Sequence, residues 1–457
     1  MDEPVPVLEP VLPRRPRRIG VAAIVLALVL VAVTALWGVF VLARPAATTA
    51  SPLRLVVVET DGGVTTTDAF GTGRHDFDSA GLRYQFPAWS PDGTQVAAIG
   101  RRVDNVVTVD VFNADPAASG LPRRIYESAD RPAFYLYWTP DSRHVTFLTT
   151  EPAPDGIALR IAPADASGPS QVVRAAAPLY WDFVDSSRLL LHTGSTGSAA
   201  FTGEVDLEGT SLENETIDSG VFRAPAVGGD GSSRAYVTAA GEDPLEGGTM
   251  VVEARDGSVR HEIAVGGATA FGFDPTSTTL AFIAPDEPTD PPAPIPSGPL
   301  RTVDARTGEV RTLLDTHVLA FFWSPDGQTL AALDLRPSEG PGPGEARVIG
   351  AVIGGGSISA LPPLARTPGV EMHLSFVDAN DGDIQSERDL RLSELFAFQL
   401  LPYFDQYALS HRFWAPDSSS IVLPLAEDDG LDRVVVIPAD GGDPHEVAAG
   451  WVGFWSP

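Results

Sequence analysis

Short apolar runs recur along this chain of 457 residues, and each is introduced by an aromatic residue and a polar turn. Trp89-Ser90-Pro91-Asp92-Gly93 precedes the run Val96–Ile99, and Trp323-Ser324-Pro325-Asp326-Gly327 precedes Leu330–Leu333. Looser copies are Trp138-Thr139-Pro140-Asp141 before Val145–Leu148, Phe273-Asp274-Pro275 before Leu280–Ile283, and Trp414-Ala415-Pro416-Asp417 before Ile421–Leu423. Weaker ones sit near Trp181 and Val227, and Trp455 opens a last copy. Pro presets φ at the second turn position, Asp accepts from backbone N–H groups ahead of it, and Gly tolerates positive φ, so the phrase is a hairpin turn. The aromatic ends one strand, and the unbroken apolar run after the turn predicts a strand buried on both faces.

The anchors at 89, 138, 181, 227, 273, 323, 414 and 455 lie 49, 43, 46, 46, 50, 91 and 41 residues apart. A period of about 40–50 residues marks a propeller or a solenoid. Most of these strand pairs are followed by a second hairpin, as at Val303–Gly308, Val377–Gly382 and Ile437–Gly441. That makes four strands per unit and predicts an all-β, eight-bladed β-propeller, or seven blades if a weak copy is miscounted. The interval from Trp323 to Trp414 holds one convincing second hairpin and is read as one blade with insertions.

The two ends complete each other. Leu53–Glu59 and the hairpin Thr67–Gly71 lack an aromatic phrase before them, while Trp451–Pro457 supplies an inner strand with nothing after it. Pairing of the N- and C-terminal strands therefore closes the ring. Within the phrase, Trp89, Trp138, Phe273, Trp323, Trp414 and Trp455 are core anchors, and Asp92, Asp141, Asp326 and Asp417, with Gly93 and Gly327, are turn formers. Together these repeats resemble the TolB-like propeller family, whose repeat carries the same W-S-P-D-G phrase before a short apolar strand. The likeness spans roughly residues 53–457. It implies a binding scaffold of the cell envelope, or a propeller preceding a peptidase domain, on a fold in which six blades are usual for TolB; architecture of this kind does not specify activity.

Ahead of the repeats, Ile19–Ala43 is 25 residues without a charge, enough to cross a hydrocarbon core of ~30 Å. Arg14, Arg15, Arg17 and Arg18 flank its N-terminal side and predict an N-in orientation. A cleaved signal peptide is the rival, but its apolar stretch is shorter, roughly 7–15 residues. The expected organisation is a cytoplasmic tail over 1–18, a transmembrane helix over 19–43, a linker over 44–52 and an extracytoplasmic propeller over 53–457. The chain has no cysteine, which excludes disulfides and thiolate metal sites, and its 31 basic residues are all arginine. Its net charge of -29 opposes nucleic acid and anionic lipid headgroups and favours cationic peptides, cations or basic protein faces.

The chemistry-bearing candidates are few. Asp405, Gln406, Tyr407, His411 and Arg412 bring acid, base and hydrogen-bonding groups together just before the Trp414 phrase, near where a propeller's axial opening falls. They are the predicted ligand-binding residues. The stretch Ser393–Ser410 is apolar and aromatic, expected to be helical up to Pro402, and would lie across the central channel, against its own blade, or toward a partner or membrane. Pro285–Pro299 and Arg336–Pro343 are expected to be exposed loops. Gly355-Gly356-Ser357-Ile358-Ser359 lacks the last glycine of a nucleophile elbow, and Asp378–Ile384 departs from a calcium loop in its glycine position and its twelfth residue. No catalytic residue, metal ligand or cofactor is assigned. The expected function is non-catalytic binding of a protein, peptide or envelope ligand; the alternative is a hydrolase or lyase with an axial site.

Overall fold

The computed structural model describes residues 53–457 except 80, 119, 153–155, 195–200, 213–223, 240–246, 289–292, 294, 338–369 and 428. The segments expected to form the cytoplasmic tail, transmembrane helix and linker, and Gly355–Ser359, lie outside them. Among the described residues no helix is long and apolar enough to cross a membrane.

The strands follow one another in antiparallel sets. First come β1 (Arg54–Glu59), β2 (Val64–Asp68) and β3 (His75–Asp76), then β4 (Arg83–Trp89), β5 (Gln95–Arg101), β6 (Val107–Asn113) and β7 (Arg123–Ser128). The next set is β8 (Ala133–Trp138), β9 (His144–Thr150), β10 (Ile157–Pro163) and β11 (Gln171–Ala175). It is followed by β12 (Leu179–Asp185), β13 (Arg188–Thr193) and β14 (Phe201–Asp206), and by β15 (Ala226–Val227), β16 (Ser233–Ala239), β17 (Gly248–Ala254) and β18 (Arg260–Val265). A seven-stranded sheet then runs through β19 (Ala270–Phe273), β20 (Thr279–Ile283), β21 (Gly298–Asp304), β22 (Val310–Trp323), β23 (Thr329–Pro337), β24 (Val370–Asp378) and β25 (Ile384–Leu390). Last come β26 (Ser420–Ala426), β27 (Asp432–Pro438) and β28 (His445–Trp455).

Two long strands change partners midway. The start of β22 pairs with β21 and its end, from His317 to Trp323, with β23. In β28, His445–Ala449 pair with β27, whereas Gly450–Trp455 pair with β1. Gly450 sits at that exchange, where a Cβ would come 2.6 Å from the Val58 carbonyl oxygen. The register Leu55↔Trp455 through Val58↔Val452 joins the two ends of the described chain, so the fold is a β-propeller closed by its terminal strands. The hairpins at Thr67–Gly71, Val303–Gly308, Val377–Gly382 and Ile437–Gly441 join β2 to β3, β21 to β22, β24 to β25 and β27 to β28.

The phrase does more than turn the chain. The indole N–H of Trp89 donates to the Phe454 carbonyl (3.2 Å), Trp138 to Ala88 (3.0 Å), Trp323 to Gly272 (3.0 Å) and Trp414 to Phe322 (2.9 Å). Each acceptor stands immediately before the preceding set's anchor, so the buried ring fills the core while its polar edge links neighbouring innermost strands. A second link uses the fifth phrase position: the Asp92 N–H donates to Ser142 Oγ and the Asp326 N–H to Ser418 Oγ, both at 3.1 Å. Ser142 and Ser418 hold φ of 61°, a left-handed conformation met by Gly93 and Gly327 in the alternate copies.

Three expectations are revised. The weak copy at Trp181 is a different turn: Asp185 pairs with Arg188 across a two-residue hairpin, and Trp181 lies ten residues from its partner Leu191 instead of the seven separating Trp89 from Val96. Helix does not stop at Pro402, because a π-helical turn (Phe396–Leu400) passes into a 3-10 turn (Leu401–Tyr403) and then α1 (Phe404–Ser410). Pro402 falls in the opening of that 3-10 turn, where a missing N–H costs little. The loop expected from Arg336 begins later, since β23 extends to Pro337; residues 338–343 lie outside those described.

Candidate functional site

The phrase turns converge at one end of the propeller axis and enclose a cavity of about 800 Å³. Its wall includes Trp455, Trp89, Trp138, Asp182, Val227, Phe273, Trp323 and Trp414, so each of the sheets contributes. α1 spans from β8 of one sheet to β19 and β22 of the seven-stranded sheet. Phe404 meets Phe321 and Phe322, and Tyr407 meets Phe86 and Tyr135. The Tyr135 hydroxyl bonds to the Gln406 carbonyl (2.9 Å) and to Ser410 Oγ (2.8 Å), pinning the last turn. Phe86 holds φ of 49° at a register break in β4, a costly conformation for a bulky residue, and its ring there packs on the crossing helix. An aromatic, apolar segment buried by several sets at once explains why Ser393–Ser410 resembles no other part of the chain.

Of the residues predicted for ligand binding, Asp405, His411 and Arg412 line the cavity, while Gln406 and Tyr407 are buried on the other side of the helix. His411 is 2% exposed, packed against Tyr407 and Phe454, with Nδ1 2.7 Å from Ser410 Oγ. Burial pushes its pKa down to about 3, so the imidazole is neutral at physiological pH. Asp405 Oδ1 accepts from the Gln406 N–H at 3.0 Å. Arg412 leaves the helix on extended backbone, its carbonyl held by the Trp455 N–H (2.8 Å). Its side chain reaches cavity solvent yet is ringed by protein, and this desolvation lowers its pKa against an opposing pull from Tyr137.

Two residues at the cavity escaped the sequence reading. Asp182 is buried in β12, accepting from the Phe183 N–H (2.7 Å), the Val227 N–H (2.8 Å) and the Tyr137 hydroxyl (3.2 Å). Burial outweighs these bonds and raises its pKa to about 6, while burial and then Asp182 push the Tyr137 phenol well up. The available signal was an acid in the middle of the apolar run Leu179–Val184.

The remaining candidates are structural. Asp92 Oδ1 accepts from Ser90 Oγ, the Thr94 N–H and Thr94 Oγ1, and Asp141, Asp326 and Asp417 make equivalent bonds within their turns. Asp378 Oδ1 likewise accepts from the Asn380 N–H at 2.8 Å. Among the described residues no group of three or more histidines or acids is placed to hold a metal ion.

No family model and no curated protein matches this sequence. Solved structures similar to it include a eukaryotic initiation factor (10% identity, 90% of this chain and 99% of that one, TM-score 0.48) and an oligogalacturonate lyase in complex with manganese (11%, 87% and 85%, TM-score 0.43). TolB from Acinetobacter baumannii is similar at 14% identity over 79% of this chain and 82% of that one, with a TM-score of 0.37. At TM-scores below 0.5 these likenesses carry no argument about activity, and it is by its own strand order and terminal pairing that the chain is a β-propeller.

Proposed function

We propose that this protein is a non-catalytic, eight-bladed β-propeller of TolB-like repeat type, held to a membrane through residues 19–43 with the propeller outside the cytoplasm, which binds a protein, peptide or envelope ligand. Eight blades follow if β22 and β28 each serve two blades and the Trp414–Ile421 bridge opens the last. The observation that carries the binding reading is the axial cavity: its volume of about 800 Å³ suits a ligand, and each of its five aspartates accepts hydrogen bonds from the protein itself. The nearest arrangement to a nucleophile and base is Ser410 beside His411. An imidazole whose pKa is near 3 withdraws a serine proton poorly at neutral pH, and its surroundings are aromatic.

The test is turnover. The full-length protein is incubated with peptide and glycan mixtures and the products are read by mass spectrometry; no consumption is expected from the wild type. Consumption that disappears in His411→Ala or Ser410→Ala, with the thermal midpoint retained, would overturn the reading in favour of an axial hydrolase or lyase.

A further inference from the structure

Charge is distributed unevenly in the cavity. Five aspartates and one arginine, Arg412, line it. Most of the acids are visibly engaged by the protein itself. Asp182 accepts two backbone N–H groups and a phenol, Asp185 bonds to Ser187 and Arg188, Asp230 to Ser232, and Asp274 to the N–H groups of Thr278 and Thr279. Asp405 takes the Gln406 N–H. The guanidinium of Arg412, by contrast, makes no hydrogen bond or ion pair among the described residues, although most other arginines facing the protein are paired; Arg255, for example, grips both oxygens of Glu204. A guanidinium carries five donors in a planar fork suited to a carboxylate or phosphate, and it does not shed its charge at physiological pH. The partly exposed rings of Tyr137, Phe273 and Trp323 offer flat apolar surface in the same cavity.

Resting on the axial-binding reading above, we infer that the cavity takes a small organic oxyanion, a carboxylate or phosphate on a flat apolar body, with Arg412 as its counter-ion. The acidic exterior does not forbid this. Its repulsion is screened over about 8 Å at physiological ionic strength, whereas a forked contact in a partly desolvated cavity is screened far less. The ligand class differs from the basic partners that net charge alone favours.

The probe is 2-naphthoate, compared with 2-naphthylmethanol and 2-naphthylmethylammonium by saturation-transfer NMR on the full-length protein in nanodiscs of neutral lipid at pH 7.5, with empty nanodiscs as blank. Naphthoate is expected to bind best, to weaken at least tenfold in Arg412→Gln, and to be partly retained in Arg412→Lys. In the wild type, the acid should bind more tightly than both the alcohol and the ammonium, a readout that does not depend on the variants folding. Equal naphthoate binding by Arg412→Gln, or preference for the ammonium, overturns the anion assignment while leaving axial binding intact. Failure of all three probes to bind overturns both.

Discussion

In Trp89, Trp138, Trp323 and Trp414 one side chain does two things: the ring fills the space between innermost strands, and Nε1 reaches the carbonyl before the previous anchor. Trp181 is as deeply buried, but its Nε1 has no hydrogen-bond partner among the described residues. Phe in place of either residue removes a similar volume, so the packing costs are comparable. Only Trp138→Phe also removes a hydrogen bond, that to the Ala88 carbonyl, and it should cost about 1 kcal/mol more than Trp181→Phe in urea unfolding followed by tryptophan emission. Equal costs would mean that the indole links contribute nothing. The pattern of anchors was legible because turn chemistry is local, and Pro, Asp and Gly impose it without help from distant residues. The indole acceptors were not, since each lies 50 or more residues away in the chain.

Between elements, the sets with weak repeat phrases use ions where others use tryptophan. Glu204 on β14 receives Arg255, which follows β17, through contacts of 2.6 and 2.7 Å, and lies 3.6 Å from Arg234 of β16; Glu253 in turn meets Arg234 and Arg260. These carboxylates are largely shielded, so removing one charge strands its partners. Glu204→Gln should therefore cost about 3 kcal/mol, while Glu127→Gln, at an exposed pair with Arg102 and Arg124, should cost about 0.5 kcal/mol. A small loss in Glu204→Gln would show that this network is not what joins the two sets. Nothing in the spacing of these charges announces it, since surface arginines and glutamates look the same in a sequence. The crossing helix was half legible: its apolar, aromatic composition required burial, but which of three surfaces covers it depends on where β8, β19 and β22 converge.

For the whole molecule, the proposed orientation puts the propeller outside the cytoplasm, and the absence of cysteine makes this directly measurable. Val103 is 97% exposed in the loop between β5 and β6, so Val103→Cys supplies a single reactive thiol on an otherwise unlabelled chain. In intact cells or spheroplasts a membrane-impermeant maleimide should label this variant fully and the wild type not at all. Labelling only after lysis would reverse the proposed topology.

Ring closure and the repeat could be read from residues 53–457 alone, because aromatic–turn–apolar phrases encode their strands locally and the incomplete units at the two ends require one another. The cavity could not. That Asp405, His411 and Arg412 face it while Gln406 and Tyr407 turn away follows from the docking of α1, and that Asp182 and Tyr137 join them follows from two separate sets meeting at the axis. Burial and charge at a point in space depend on every segment that passes near it, and only the folded chain brings those segments together.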